Sequence, residues 1–161
     1  MEYTTYNCLL IGDPNVGKTA FVRAMREKYF QPKYIPTYGM SPTNKFINTT
    51  NGIYNFMLWD TTGQENLGGL KNGFIVESDC AIIFFDLNNI PSCDCVPMWK
   101  SMFQAFFPSV PVIIVGNKSD LEKKVAPGDY IEISCKTGAN ISQPLLELAR
   151  LLSNDNTIEY A

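Results

Sequence analysis

The chain has 161 residues, 45% of them hydrophobic, enough for one sizeable core and too few for two, so a single domain over 1–161 is expected. A formal charge of −3 and a pI near 4.9, with no basic run or tail, exclude nucleic-acid or anionic-membrane binding through bulk charge. The longest apolar runs, 80–85 and 110–115, are far below membrane-spanning length and the opening MEYTTYN has no signal-peptide pattern, which predicts a soluble intracellular protein.

Residues 7–11 read as a buried strand that stops at Gly12. From 18 to 29, Phe21, Met25 and Tyr29 recur at steps of four, a helical face that follows directly on a glycine-bearing turn. Runs 45–50 and 53–59 flank Asn51-Gly52, and because both of those residues tolerate positive φ they predict a hairpin of two antiparallel strands. Short apolar runs at 80–85, 112–115 and 131–133, with helical material between the first two, predict parallel strands joined by crossovers. Ser142 is placed to cap a last helix that has Pro144 in its first turn and Leu145, Leu148, Ala149 and Leu152 as its inner stripe. The five cysteines, Cys8, Cys80, Cys93, Cys95 and Cys135, have no paired metal-ligand spacing, and there is no histidine. Zinc and histidine-based catalysis are thereby disfavoured, and reduced thiols, mostly in the core, are expected.

Three motifs punctuate this pattern. GDPNVGKT at 12–19 fits G-x-x-x-x-G-K-[ST] and sits after a strand and before a helix. There, backbone N–H groups and the positive end of the helix surround phosphates, Lys18 reaches the outer two, and the Thr19 hydroxyl ligates Mg²⁺. Pro14 has no N–H to give, so the phosphate-facing amides must begin at Asn15 and run through Val16, Gly17, Lys18, Thr19 and Ala20. WDTTGQE at 59–65 ends an apolar strand with an acid. Asp60 is placed to hold Mg²⁺ through water, Gly63 to bring its N–H to a γ-phosphate, and Gln64 to orient an attacking water. NKSD at 117–120 follows the run at 112–115. The Asp120 carboxylate accepts hydrogen bonds from N1 and N2 of guanine, a pair that adenine does not supply, so the wrong base leaves it unpaired and is rejected by about 10⁴-fold or more. Taken alone, DxxG and NKSD are as readily polar turns after strands. In order on one chain they serve three parts of one ligand, and predict a switch operated by GDP and GTP with Mg²⁺.

These residues resemble the small GTPases of the Ras superfamily over almost the whole chain. The resemblance extends to FQPKYIPT at 30–37, where it implies that Phe30 packs against guanine, Tyr34 covers the phosphates, and Thr37 contacts both Mg²⁺ and the γ-phosphate. SCK, formed by Ser134, Cys135 and Lys136, resembles the family's base-contact loop, with Cys135 offering its backbone N–H to the guanine oxygen. The implied fold is α/β, the P-loop NTPase G domain, a six-stranded and mostly parallel sheet with one antiparallel edge hairpin and flanking helices. Gln64, Lys18 and Thr37 are the implied catalytic residues, and Thr19, Thr37 and Asp60 the implied metal residues. Within the superfamily, GQENLGGL, CAIIFFD, VPMW and PLLELARLL are similar to the Ran subfamily of nuclear-transport GTPases. That similarity implies an exchange factor, a GTPase-activating protein and transport factors as partners, a monomer, and a place in the cytoplasm or nucleus.

Four departures from the Ran-like pattern accompany the resemblance. Pro14 stands where relatives have glycine and Thr62 where they have alanine, both facing the reaction centre. Only residues 121–132 separate Asp120 from the last strand, whereas a helix with two connections needs roughly 16 to 24 residues, so the family's fourth helix is expected to be shortened or absent, together with a basic stretch before that strand. The ending NDNTIEYA lacks an acidic tail and the cysteine that carries a prenyl anchor. A slow GTP hydrolase and a hydrolysis-impaired mimic that competes for Ran partners both fit these departures.

Overall fold

The computed structural model describes residues 1–26, 42–62 and 77–161. In chain order the elements are β1 (Thr4–Gly12), α1 (Lys18–Met25), β2 (Pro42–Thr49), β3 (Gly52–Asp60), β4 (Cys80–Asp86), α2 (Ile90–Asp94), α3 (Val96–Phe106), β5 (Val112–Asn117), β6 (Ile131–Glu132) and α4 (Gln143–Ser153). The strands form a six-stranded sheet in the order β2-β3-β1-β4-β5-β6. Among these described strands β2 and β3 pair antiparallel and every other neighbouring pair is parallel.

Period-two alternation divides the core between the two faces of this sheet. Cys8 and Leu10 of β1, with Ile82 and Phe84 of β4, join Phe21 and Met25 of α1 and Leu145, Leu148 and Ala149 of α4 in one cluster. Leu9 and Ile11, with Ala81, Ile83 and Phe85, meet Val96, Trp99 and Phe103 of α3 in the other. Covered on both sides, β4 is buried at all seven positions, which is why CAIIFFD reads as an unbroken apolar run. The stripe expected on α4 is present, with Leu152 partly buried against the same cluster. Among the described residues no helix is long and apolar enough to cross a membrane.

Three expectations need correction. In the hairpin, Thr49 pairs with Gly52, and of Asn51-Gly52 only Gly52 adopts positive φ, at +116°. The hairpin itself forms as expected, but its turn residues are Thr50 and Asn51, and the Thr49 hydroxyl organises the tip by donating to the Gly52 carbonyl at 2.8 Å and accepting from the Asn51 N–H at 3.2 Å. Ser142 occupies the cap position of α4 with φ −86° and ψ −13°, and its side chain makes no capping bond, because that helical backbone directs the hydroxyl away from the first-turn amides. Of the cysteines only Cys8 and Cys80 are buried; Cys93, Cys95 and Cys135 are half-buried, and all five are free. Tyr29, expected at the end of α1, lies outside the described residues.

Between β5 and β6 there is no helix. The segment is instead pinned along the end of β4: Lys124 N–H donates to the Leu87 carbonyl at 2.8 Å, the Asn88 amide donates to the Glu122 carbonyl at 2.7 Å, and Tyr130 stands edge-on to Phe85 with centroids 4.9 Å apart. Phe85 and Leu87 stay buried under this thin cover, while Val112 and Ile114 of β5 are only half-buried. After α4, Ile158 inserts into the core, and residues 159–161 lie antiparallel beside β2. Thr50 N–H donates to the Glu159 carbonyl at 2.9 Å and Ala161 N–H to the Asn48 carbonyl at 3.0 Å.

Candidate nucleotide-binding site

Gly12, Asp60, Asp86 and Asn117 each end a strand at the carboxyl edge of the sheet, where the strand order places β1, β3, β4 and β5 side by side. Such an edge is where open α/β sheets bind ligands. The loop after β1 is built around two glycines. Gly12 has φ +144°, and a β-carbon there would overlap the Phe84 carbonyl oxygen. Gly17, at φ +104°, caps α1 and faces Asn117, whose amide nitrogen would be overlapped by any β-carbon. Asn15 takes φ +65°, a left-handed conformation that asparagine tolerates better than most residues, and Pro14 before it is exposed. The first turn of α1 has neither a side-chain cap nor an acidic residue, which leaves its positive end to an anion. Lys18 is 2% exposed, and its ammonium donates to the Gly12 carbonyl at 2.5 Å and the Asp13 carbonyl at 3.3 Å, so its charge lies inside the curve of the loop.

Beside the loop, three side chains converge. The Thr19 hydroxyl donates to Asp60 Oδ2 at 2.6 Å. The Thr62 hydroxyl lies 2.6 Å from Asp60 Oδ1 and 2.9 Å from Thr19 Oγ1, and the Thr62 N–H donates to Asp60 Oδ1 at 2.9 Å. Hydroxyl and carboxylate oxygens are the hard donors that Mg²⁺ prefers, so Thr19 and Asp60 fit the metal expected there. The Thr61 hydroxyl, turned inward, donates to the Leu10 carbonyl at 2.7 Å and fixes the end of β3 against β1.

Asn117 joins the three loops. Buried to 2% exposure, it donates from Nδ2 to the Val16 carbonyl at 3.0 Å and accepts at Oδ1 from the Cys135 N–H at 3.1 Å. The Cys135 amide, which the sequence reading gave to the guanine oxygen, donates in this structure to Asn117. Lys118, at φ +68°, turns its ammonium to Asp86 Oδ2 at 2.9 Å. The Asp120 carboxylate is exposed and accepts from the buried Ser134 hydroxyl at 2.7 Å. That hydrogen bond above all, helped by a backbone N–H and the Lys136 and Lys118 charges, holds the Asp120 carboxyl below the usual carboxylate range. Burial pushes the Cys135 thiol up to about 11, so it stays a neutral thiol at physiological pH.

Asn15 through Ala20, Asp60, Asn117, Lys118, Asp120 and Ser134 through Lys136 thus share one edge of the sheet. Phe30, Tyr34, Thr37, Gly63 and Gln64 lie outside the described residues. Sequence reasoning missed Asp86 as the partner of Lys118, although an acid ending the apolar run CAIIFFD repeats the pattern that singled out Asp60. The bond between Asp13 and Trp99, 86 positions apart, had no sequence signal. Compared with known protein families, residues 7–154 match the model of the Ras family.

Proposed function

Because the chain belongs to the Ras family, the small GTPase switches that bind guanine nucleotide and answer to exchange factors and activating proteins, we propose a role for each element of this edge. The amides of Asn15 to Ala20 and the Lys18 ammonium hold the phosphates of GDP or GTP. Thr19 and Asp60 hold Mg²⁺, which neutralises phosphate charge when bound, and Thr37 completes that set in the GTP form. Asp120 reads N1 and N2 of guanine, while Ser134, Cys135 and Lys136 form the wall behind the base. Phe30 packs on guanine, Tyr34 covers the phosphates, Gly63 meets the γ-phosphate and Gln64 orients the water that attacks it.

The observation that carries base selection is the Ser134–Asp120 hydrogen bond at 2.7 Å, which keeps the carboxylate ionised and aimed. An ionised carboxylate only accepts hydrogen bonds, and guanine presents two donors to it. Asp120→Asn adds a donor, so preference should move from guanine toward xanthine nucleotides in a competition assay against fluorescent GDP. Retained guanine preference in that variant would place the base elsewhere.

The finer reading is a Ran-like switch, monomeric, acting in the cytoplasm or nucleus with an exchange factor, an activating protein and nuclear-transport factors that read residues 34–37 and 62–70. Its support is the set of sequence similarities at 63–70, 80–86 and 96–99. A slow intrinsic rate is expected, on the order of 10⁻⁴ s⁻¹ as in Ras without its activator. The hydrolysis-impaired mimic is favoured by one observation, the Thr62 hydroxyl bound to both Asp60 and Thr19 where relatives carry a methyl group. Single-turnover hydrolysis distinguishes the two readings.

A further inference from the structure

Asp13 is the second residue of the phosphate loop, and a carboxylate there is opposed to the loop's task of gathering negative phosphates. Its side chain does not point at the loop. Asp13 Oδ1 accepts from the Trp99 indole N–H at 2.8 Å, and the Cys95 thiol also faces the carboxylate, whose proximity pushes that thiol's pKa up. Trp99 sits on α3, 6% exposed, packed with Leu9, Ile11, Val96 and Phe103, so its indole cannot follow the carboxylate if the loop shifts. Meanwhile the Asp13 carbonyl receives the Lys18 ammonium at 3.3 Å, which sets the backbone of Asp13 toward the loop's interior and the side chain away from it. A buried indole N–H has no acceptor of its own and usually finds a partner. Here that need and the need to park a carboxylate are met by one bond.

We propose that Trp99 is a positioning residue for nucleotide retention: its indole N–H holds the Asp13 carboxylate on the α3 side of the loop, away from the bound phosphates. This rests on the nucleotide-binding reading above. Without the bond the carboxylate turns through its side-chain rotamers toward the site, and one added like charge near the phosphates weakens the complex. A single partly solvated charge pair corresponds to a change of about five- to tenfold in release rate.

The test is the release rate of a fluorescent GDP from the wild type, Trp99→Phe, Asp13→Asn and the double variant, each at low and high salt. Trp99→Phe keeps a large ring in the cluster and removes only the donor. It should speed release about five- to tenfold, less so at high salt, where charge repulsion is screened. Asp13→Asn should change release by less than about twofold, since its amide oxygen still accepts from the indole. In the double variant the acceleration should vanish, because no charge remains to be misplaced. If the double variant releases as fast as Trp99→Phe, the effect is one of packing and the proposal is overturned. It is overturned equally by an unchanged rate in Trp99→Phe, or, should that variant not fold, by Asp13→Asn slowing release more than tenfold, which would mean the wild-type carboxylate already faces the phosphates. A wild type that binds no fluorescent GDP would refute the nucleotide-binding reading instead.

Discussion

Gly17→Ala should cost far more than a glycine-to-alanine change at the start of a helix ordinarily does. Two penalties combine. At φ +104° an alanine is strained by about 1–3 kcal/mol. Its β-carbon would also occupy the position of the Asn117 amide nitrogen, which must leave its 3.0 Å bond to the Val16 carbonyl. Both groups are buried, and an unmade buried hydrogen bond costs about 1–3 kcal/mol. The sum, roughly 2–6 kcal/mol, is a large share of the 5–15 kcal/mol typical of a domain. Gly52→Ala is the internal control: its φ is +116°, and nothing lies within 4 Å of a β-carbon there, so it reports strain alone. Urea unfolding of the nucleotide-free proteins, followed by far-ultraviolet circular dichroism, gives both values. Gly17→Ala should exceed Gly52→Ala by about 1–3 kcal/mol, the hydrogen-bond share, and that excess should disappear when Asn117 is alanine. Equal losses in the two single variants would refute the argument that Gly17 exists to admit Asn117.

Ser134→Ala should raise the Asp120 pKa toward its ordinary value, because the hydroxyl is the largest cause of its lowering. On the proposed reading Asp120 meets guanine as a carboxylate, so GDP affinity should be full above the ordinary carboxylate range and lost as pH falls through the lowered value. In Ser134→Ala the acid limb of a GDP titration should move to higher pH, and coincident limbs would separate Ser134 from base reading. Thr62→Ala should hydrolyse GTP faster in single turnover, since the hydroxyl now bound to Asp60 and Thr19 would be gone, and an unchanged rate would remove Thr62 as a brake on hydrolysis. Gln64→Leu should hydrolyse more slowly with GTP affinity nearly unchanged, and an equal rate would remove Gln64 from the reaction.

The strands and their order of use were legible because burial on both faces writes itself into sequence as continuous apolar runs, and β4 is the plainest case. The phosphate loop was legible because only glycine fits where Gly12 meets the Phe84 carbonyl and Gly17 meets Asn117. That any helix between β5 and β6 would be shortened or absent followed from chain length, and the structure has none there. What sequence did not yield were the bonds that act at a distance. Asn117 was expected as part of a base motif, yet its amide spends both ends on protein, 101 positions back to Val16 and 18 forward to Cys135. Ser142 looked like a cap because hydroxyls favour that position, but capping depends on a backbone angle that residue type does not encode. The bonds of the Thr62 hydroxyl to Asp60 and Thr19, 43 positions apart for the latter, likewise had no sequence signal.

The segment at 159–161 has a bearing on how copies of this chain behave toward one another. β2 is the outermost strand on its side of the sheet, and an outermost strand is a template on which another chain can form. The exposed rings of Tyr3 and Phe46, in edge-to-face contact at 5.0 Å, lie near that edge and would make such a template adhesive. Residues 159–161 occupy the Asn48–Thr50 end of it with backbone hydrogen bonds, and Arg150 secures them through the Ile158 carbonyl at 2.8 Å and the Glu159 carboxylate at 2.7 Å. At the other end Pro42 offers no donor, and Lys45 brings a charge to the stretch between. Loosening the Arg150 side chain should therefore uncover the strand end and favour edge-to-edge association of copies, without touching the residues at the carboxyl edge of the sheet.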